Sequence, residues 1–281
     1  MKRRDFLKAV FASLIVGGFA QEGFAEIIQI SKSFSMMDPD DHIKDYLNKI
    51  KYFDRKHRDD VCLEQNKFLV LKSTVMRLSR LQRTVGHGNF YLLSFDDALK
   101  IARNYSRVGR FSKAEIDLME MIFYEESTLY GFLGEKPLKN LTDRIQTRKV
   151  IKIPHTGNYL YKGLPLQIYK KITREVGGQV ILTSGVRGIV KQAFLFLKKV
   201  YNSKGNLSLA SRSLAPPGFS YHSVGDFDVG QVGFGADNFT EHFVTTKVYK
   251  KLAALDYIKL RYPKDNFFGV RFEPWHIKVK S

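Results

Sequence analysis

The sequence has very little cysteine, and this excludes two common kinds of cross-link or metal site. Cys62 is the single cysteine among the 281 residues. Within this sequence, neither an intramolecular disulfide nor a cysteine-based zinc cluster is therefore possible. Cys62 has no neighbouring histidine and no recognisable nucleophile context, and we expect it to be a small buried apolar residue.

Acidic residues are also scarce relative to basic ones. The chain has 28 aspartates and glutamates against 46 lysines and arginines, which gives a net charge of +18 at pH 7. Such an excess suits an anionic surrounding such as nucleic acid, a membrane surface or a cell-wall polymer. The basic residues are scattered and no nucleic-acid-binding motif accompanies them, so we expect no nucleic-acid partner.

The N-terminal segment lacks the long apolar run of a membrane-spanning helix. Its uncharged stretch, residues 9–20, is too short to cross a bilayer comfortably. The preceding residues 3–8, RRDFLK, resemble a twin-arginine export signal, and small residues follow at Ala20 and Ala25. We predict a twin-arginine-type signal peptide at 1–25, with an ordinary secretory signal or an uncleaved anchor as alternatives. Each places the remainder outside the cytoplasm, in a bacterial periplasm or cell envelope, with membrane contact only through this segment.

The apolar pattern changes character near residue 150. Before it, apolar residues recur at helical spacing, and Ser94 and Ser112 begin patterns typical of capping boxes. After it, we predict helices at 166–176, 189–201 and 239–255, and short strands at 179–183, 257–262, 268–272 and 276–279. This indicates an α+β fold with a small antiparallel sheet and flanking helices. The predicted division is a helical N-terminal module at 26–150 and a catalytic domain at 151–281.

Two short patterns near the C-terminus carry the chemistry. Residues 220–228 read SYHSVGDFD, and residues 273–276 read EPWH. Together they offer two imidazoles and a carboxylate that could hold zinc, with a further carboxylate, Glu273, as a base for water. Pro274 favours a bend that would turn His276 towards the metal and leave Glu273 beside it, and Trp275 would wall the site.

These patterns resemble the zinc D-alanyl-D-alanine carboxypeptidases and dipeptidases of bacterial cell-wall metabolism and vancomycin resistance. The resemblance covers roughly 165–280 and rests on three blocks in the same order. Residues 184–187, SGVR, with Gln192 are similar to a Ser-Gly-Tyr-Arg block, with Val186 in the tyrosine position. Ser220, His222 and Gly225 are similar to a Ser-x-His-x-x-Gly block, and residues 273–276 to a Glu-x-Trp-His block.

The resemblance implies a role for each residue. His222, an aspartate and His276 would hold Zn²⁺, Glu273 would act as general base and then acid, and Arg187 would polarise the scissile carbonyl. The substrate-binding residues would be Ser220, Gln192 and Trp275. The implied reaction is hydrolysis of peptidoglycan stem peptides with release of a terminal D-alanine. The alternatives are a peptidoglycan endopeptidase with the same metal site and a non-catalytic wall-binding module; the oligomeric state is not indicated.

One departure from the family pattern concerns the aspartate ligand. The spacing from His222 to Asp228 is one residue shorter than in the family, and Asp226 is the alternative. A one-residue loss reverses side chains along a strand unless a bulge or a tighter turn restores the register. We favour Asp228 because Val229 and Gly230 follow it as in the family.

Overall fold

The computed structural model describes residues 39–279. Contacts divide the chain into two units, Met1–Leu47 and Asn48–Ser281. Of the first unit, only the start of helix α1 (Pro39–Lys51) is described, and the predicted signal peptide at 1–25 lies outside the described residues. None of the helices between 39 and 279 is long and apolar enough to cross a membrane. The division into 26–150 and 151–281 stays a prediction.

The first half of the described chain is helical, as its apolar spacing predicts. The helices are α2 (Gln65–Val85), α3 (His87–Phe90), α4 (Phe95–Asn104) and α5 (Lys113–Tyr124). Ser94 caps α4 by accepting the N–H of Asp97, and Ser112 forms a complete capping box with Glu115 at the start of α5. These caps use N–H groups that would otherwise lack partners in the first turn, and so fix where each helix begins.

The second half contains two antiparallel sheets. Strands β1 (Val150–Lys152) and β2 (Tyr159–Tyr161) form a two-stranded sheet. Strands β3 (Val180–Ser184), β4 (Phe227–Gln231), β5 (Lys259–Leu260) and β6 (His276–Lys278) form a second sheet in the order β3-β4-β6-β5. The accompanying helices are α6 (Leu164–Val176), α7 (Ile189–Asn202), α8 (Leu207–Ser211) and α9 (Lys247–Ala253). The predicted α+β fold is confirmed.

Two large hydrophobic clusters hold the helices and the four-stranded sheet together. One joins α2, α4 and α5 to α7 and α8, with Leu71, Leu78, Phe196 and Val200 almost fully buried. The other lies between the four-stranded sheet and helices α6 and α9, and it includes Phe227. Helix α7 thus packs on the helices before residue 150 while its N-terminus follows β3, so it links the helical layer to the sheet.

Three expectations are wrong in detail. Residues 239–255 do not form one helix: a 3₁₀ turn ends at Phe239 (Gly235–Phe239), a second follows (Glu241–Thr245), and then α9. Thr240 and Thr246 interrupt a single helix because their hydroxyls accept backbone N–H groups as caps. Residues 268–272 are not a strand, since Gly269 has φ +73° and lies against the Gly131 carbonyl. Cys62 is exposed rather than buried.

Candidate metal centre

His222 is held in one orientation by the loop that follows β3. It lies on a 3₁₀ turn (Tyr221–Ser223), and its side chain is almost fully buried. Its Nδ1 lies 2.7 Å from the Gly185 carbonyl oxygen. A carbonyl only accepts, so Nδ1 carries the proton and Nε2 is left with a free lone pair. Gly185 can approach this closely because it has no Cβ: one built there would be 1.9 Å from the Tyr159 carbonyl oxygen.

Asp228 and His276 face His222 from neighbouring strands. Asp228 in β4 pairs directly with His276 in β6. Asp228 Oδ1 lies 3.3 Å from His222 Nε2 and 3.5 Å from His276 Nδ1. One ligand atom from each of the three buried residues lies within 4.8 Å of the others. The register also contains a bulge opposite Asp228, between Leu182 and Ser184 of β3.

The atoms that face the centre of this cluster fit a divalent cation. His222 Nε2 and Asp228 Oδ1 are buried and have no hydrogen-bond partner among the described residues. Burial, with a smaller contribution from Arg187, lowers the pKa of His222, which keeps the imidazole neutral. Two buried acceptors that face each other at 3.3 Å repel unless a cation lies between them. Two imidazoles, one carboxylate and an open side are a donor set typical of catalytic zinc.

Asp226 supports His276 from outside the cluster. Its Oδ2 lies 3.3 Å from His276 Nε2, and Arg261 contacts both carboxylate oxygens at 2.7 and 3.2 Å. Burial would raise the pKa of Asp226, but hydrogen bonds from His276 and Arg261 outweigh it and lower the pKa to about 2. Asp226 is therefore an anion that accepts the Nε2 proton of His276, so Nδ1 is the nitrogen directed at the cluster.

Burial would lower the pKa of His276, but hydrogen bonds to Asp226 and Glu273 raise it to about 9. In the metal-free protein the ring is thus an imidazolium, and a cation at Nδ1 would displace one proton. Both aspartates considered from the sequence therefore touch His276, on different nitrogens, and Asp228 is the one that lies in the cluster.

Glu273 and Arg187 flank the cluster. Glu273 Oε2 lies 3.3 Å from His276 Nδ1, and its backbone N–H bonds to the Tyr262 carbonyl. Arg187 donates through Nη2 to Asp228 Oδ2 at 2.6 Å and through Nε to Ser184 Oγ at 2.8 Å. Burial would raise the pKa of Asp228, but Coulombic attraction from the Arg187 guanidinium and from the protonated His276 ring outweighs it and holds this pKa well below its usual range. The carboxylate is thus ionised, as a metal ligand must be.

The other predicted residues lie along one cleft of about 280 Å³, which also contains the cluster. Ser220 and Trp275 line it, and both are buried. Gln192 lines it too, but its amide is engaged within the fold: Nε2 donates to the Arg187 carbonyl and Oε1 accepts from Gly218 N–H. His242, a further histidine of this half of the chain, is exposed and lies outside the cluster.

Four residues near the cluster have no role predicted from the sequence. Arg261 forms a buried ion pair with Asp226, the alternative ligand, behind His276, and Tyr91, Lys191 and Arg271 line the cleft itself. Arg261 lies in the segment 260–263, LRYP, which precedes residues 273–276 along the chain. Lys191 and Arg271 carry no local signal, because a lysine or arginine at such positions is usually on a solvated surface.

One protein family and several solved structures are similar to the C-terminal part of the chain. Residues 166–279 match the model of the VanY D-alanyl-D-alanine carboxypeptidase family. Among solved structures, a vancomycin-resistance D,D-pentapeptidase VanY from a VanB-type cassette, in complex with Zn(II), is similar with 26% identity and a TM-score of 0.40. That match covers 53% of this chain and 88% of the other. No curated protein matches the chain with comparable significance.

Two more solved structures are similar to the same region. VanYB in complex with D-alanine-D-alanine is 24% identical, with a TM-score of 0.40, and the match covers 53% of this chain and 85% of that one. The LD-carboxypeptidase LdcB is 24% identical, with a TM-score of 0.37 and coverage of 56% and 70%. The three sequence blocks at 184–187, 220–225 and 273–276 all lie inside the matched region, so residues 166–279 are similar to the VanY D-alanyl-D-alanine carboxypeptidase family where the site is formed.

Proposed function

We propose that this protein is a zinc-dependent D-alanyl-D-alanine carboxypeptidase that releases the terminal D-alanine of peptidoglycan stem peptides. One observation carries the proposal: the buried cluster of His222, Asp228 and His276 lies beside Glu273 in a cleft within the region that matches the VanY family. The donors would be His222 Nε2, Asp228 Oδ1 and His276 Nδ1. Bound zinc supplies a lowered pKa for water and a positive charge for a developing oxyanion.

We propose that Glu273 moves the proton. It is 8% exposed and lines the cleft, and it lies at the edge of the cluster with Oε2 3.3 Å from His276 Nδ1. Its carboxylate would accept a proton from the attacking water and then donate it to the amine nitrogen of the leaving alanine. General acid–base catalysis of this kind contributes about 10²–10⁴-fold in rate.

Arg187 has two tasks in this arrangement. Through Nη2 it fixes Asp228 Oδ2, which leaves Oδ1 directed at the cluster. Its Nη1 makes no hydrogen bond among the described residues, and the guanidinium lines the cleft. We infer that Nη1 donates to the scissile carbonyl oxygen as negative charge develops, the role that the resemblance implies. A preorganised donor of this type lowers the barrier by about 3–4 kcal/mol.

The substrate would lie along the rest of the cleft. Trp275 is held by edge contacts with Phe239 and by the Arg271 guanidinium, 4.9 Å from its ring centre. It therefore offers a fixed apolar wall for an alanine methyl group. Ser220 lies two residues before His222, and we propose that it helps to hold the substrate backbone. Gln192 would act on the substrate indirectly, by holding the Arg187 carbonyl and the Gly218 turn.

The test is digestion of purified muropeptides that end in D-alanyl-D-alanine by the zinc-loaded protein, followed by mass spectrometry. Loss of a single alanine residue from the stem is the expected result. Loss of larger fragments would instead indicate the endopeptidase reaction, and wall binding without cleavage by fully zinc-loaded protein would indicate a binding module. The expected product requires a free terminal D-alanine, so peptides that lack it serve as the control.

Export is part of the same proposal. We propose that residues 1–25 direct the chain out of the cytoplasm by the twin-arginine route, which would bring the domain to its cell-wall substrate. The supporting feature is the residue pattern RRDFLK followed by a short uncharged stretch. Replacing Arg3 and Arg4 by lysine should retain a reporter fusion in the cytoplasm. Continued export of that variant, together with loss of export on Sec inhibition, would favour an ordinary secretory signal.

A further inference from the structure

The cleft extends past the metal cluster to a cation that the proposed reaction does not use. Lys191 lies in α7, one residue before Gln192, and it lines the same cleft as His222 and Glu273. Only 9% of its surface is exposed. The cleft therefore has a buried ammonium group in its wall as well as the metal cluster.

The surroundings of Lys191 contain no acidic partner. Its Nζ contacts the Gln82 side-chain oxygen at 3.2 Å, and no carboxylate lies within 4.0 Å among residues 43–279. The Tyr91 ring centre is 4.8 Å from Nζ, and Phe90 and Phe194 are 5.8 and 5.9 Å away. One neutral acceptor and three aromatic faces thus hold a group that has three N–H donors.

An ammonium group in this position is costly to keep without an anion. Burial, with smaller contributions from Arg187 and Lys198, lowers the pKa of Lys191 to about 8, so the group is still mostly protonated at pH 7. Cation–π contacts and one amide offset part of the desolvation, but buried charges in proteins are normally paired with opposite charge. The charges that act on it, Arg187 and Lys198, have the same sign. Arg187 is already paired with Asp228, so Lys191 is the group that an anionic ligand in the cleft would pair.

We propose that Lys191 is a specificity-determining residue that binds a carboxylate of the peptide substrate. The inference deepens the proposed function and rests on it for the identity of the peptide. It also gives the helical region a part in recognition, because α2 supplies Gln82 and the segment after α3 supplies Tyr91. Tyr91 is tied to the active site through its carbonyl, which accepts the Gly188 N–H at 2.7 Å next to Arg187.

A stem peptide offers this chemistry from two sources. One is the terminal carboxylate of the residue that is released, and the other is the carboxylate of an acidic residue before the scissile bond. The probes are therefore the pentapeptide L-Ala-D-γ-Glu-L-Lys-D-Ala-D-Ala, its C-terminal amide, and the form in which the glutamate α-carboxylate is an amide. Each amide removes one charge and keeps the shape of the peptide.

The experiment measures binding of the three probes by titration calorimetry, with zinc-loaded Glu273→Gln protein to prevent turnover. With Lys191 present, one of the two amides should bind about tenfold more weakly than the acid, as loss of a charge-assisted hydrogen bond implies. In the Lys191→Met background, that preference should disappear while the affinity for the amide is unchanged. Lys191→Arg, which keeps the charge, should retain the preference.

Lys198→Met is the matched control, since it removes one exposed ammonium from the same helix and should leave the preference intact. Which amide loses affinity identifies the carboxylate. Equal affinity for all three probes with Lys191 present, no binding of any probe, or a preference that survives Lys191→Met would overturn the proposal. Absence of D-alanine release by the wild-type protein would refute the proposed carboxypeptidase reaction. It would leave the role of Lys191 standing, because the binding comparison needs no turnover.

Discussion

The carboxylate of Asp226 contacts Nε2 of His276 at 3.3 Å, while Nδ1 of the same ring is directed at Asp228. Asp226 in turn is held by Arg261 and by the backbone N–H of Val279 at 2.9 Å. Asp226 therefore holds the imidazole through Nε2, the nitrogen that points away from the cluster, before any metal binds. Such outer partners orient the ring of a metal ligand and make it bind the metal more strongly.

Asp226→Asn should lower zinc affinity by about 10–100-fold without removing a ligand atom. The amide oxygen can still accept a hydrogen bond from His276 Nε2. The substitution removes the negative charge that makes His276 a stronger metal ligand. Chelator competition at pH 7 measures the affinity. The surface substitution Asp237→Asn is the control and should leave the affinity unchanged, since Asp237 is exposed and lies outside the cluster. Unchanged affinity in Asp226→Asn would show that the ring needs no anionic support.

Glu273→Gln should abolish turnover and leave zinc stoichiometry at one per chain. The amide cannot accept the proton of the attacking water, so kcat should fall by about 10²–10⁴-fold. The expected retention of metal follows from the cluster, which does not include Glu273. Steady-state kinetics and elemental analysis measure the two effects. A variant with near wild-type kcat would refute the assignment of Glu273 as base.

The buried pair of Asp60 and Arg212 should make the fold sensitive to acid. Arg212 contacts both Asp60 oxygens, at 2.7 and 3.1 Å. Burial would raise the pKa of Asp60, but hydrogen bonds from Arg212 and Asn206 outweigh it and lower the pKa. The stability from this ionised group is therefore fully present above the unfolded pKa of about 3.9, and it is lost as pH falls through the lower folded pKa.

Asp60→Asn leaves a buried guanidinium without its anion and should cost about 3–5 kcal/mol of unfolding free energy at pH 7. Urea unfolding measures this, and the difference from wild type should shrink as pH falls from ~4 towards the lower folded pKa, because unfolding of the wild-type protein then takes up a proton at Asp60. Asp59→Asn is the control: Asp59 is exposed and pairs with Lys49, so its loss should cost less than about 1 kcal/mol. If the difference in unfolding free energy between wild type and Asp60→Asn did not change with pH, ionisation of Asp60 would not be what stabilises the fold.

The local part of the site could be predicted from the sequence. His222 and Ser220 share one turn, and Glu273 and His276 share another, so short patterns place them. Which aspartate meets the imidazoles is decided by strand register. Asp228 pairs with His276 across the sheet, and the 3₁₀ turn that carries His222 and then Gly225, whose φ is +130°, precede this strand. Sequence spacing alone leaves two solutions open, because Asp226 and Asp228 are two residues apart and both reach the ring.

The rest of the site depends on contacts between distant segments. Lys191 reads as an ordinary basic residue of an amphipathic helix, and only the packing of α2 and the segment after α3 against α7 buries it. The strand predicted at 268–272 failed for a similar reason. Its Gly269 packs against the Gly131 carbonyl, and Asn266 bonds back to the Val270 carbonyl at 2.9 Å, so the segment makes loop contacts instead of a ladder.

Gly185→Ala should damage both the fold and the metal site. The added methyl group would lie 1.9 Å from the Tyr159 carbonyl oxygen, and Val186 N–H binds that same oxygen at 2.7 Å, so the backbone cannot move away without losing a bond. We expect a loss of about 1–3 kcal/mol in the free energy of unfolding, as in overpacked cores. The Gly185 carbonyl also holds His222 Nδ1, so its displacement should weaken zinc binding.

Gly178→Ala is the matched control for this substitution. No atom lies within 4 Å of a Cβ built at Gly178, and its φ is not positive, so the change should stay within about 0.5 kcal/mol. Urea unfolding of the metal-free proteins separates the packing effect from the metal effect, and chelator competition then measures the second. If Gly185→Ala matched Gly178→Ala in both measurements, the close approach of the 184–187 block to β2 would not be what positions His222.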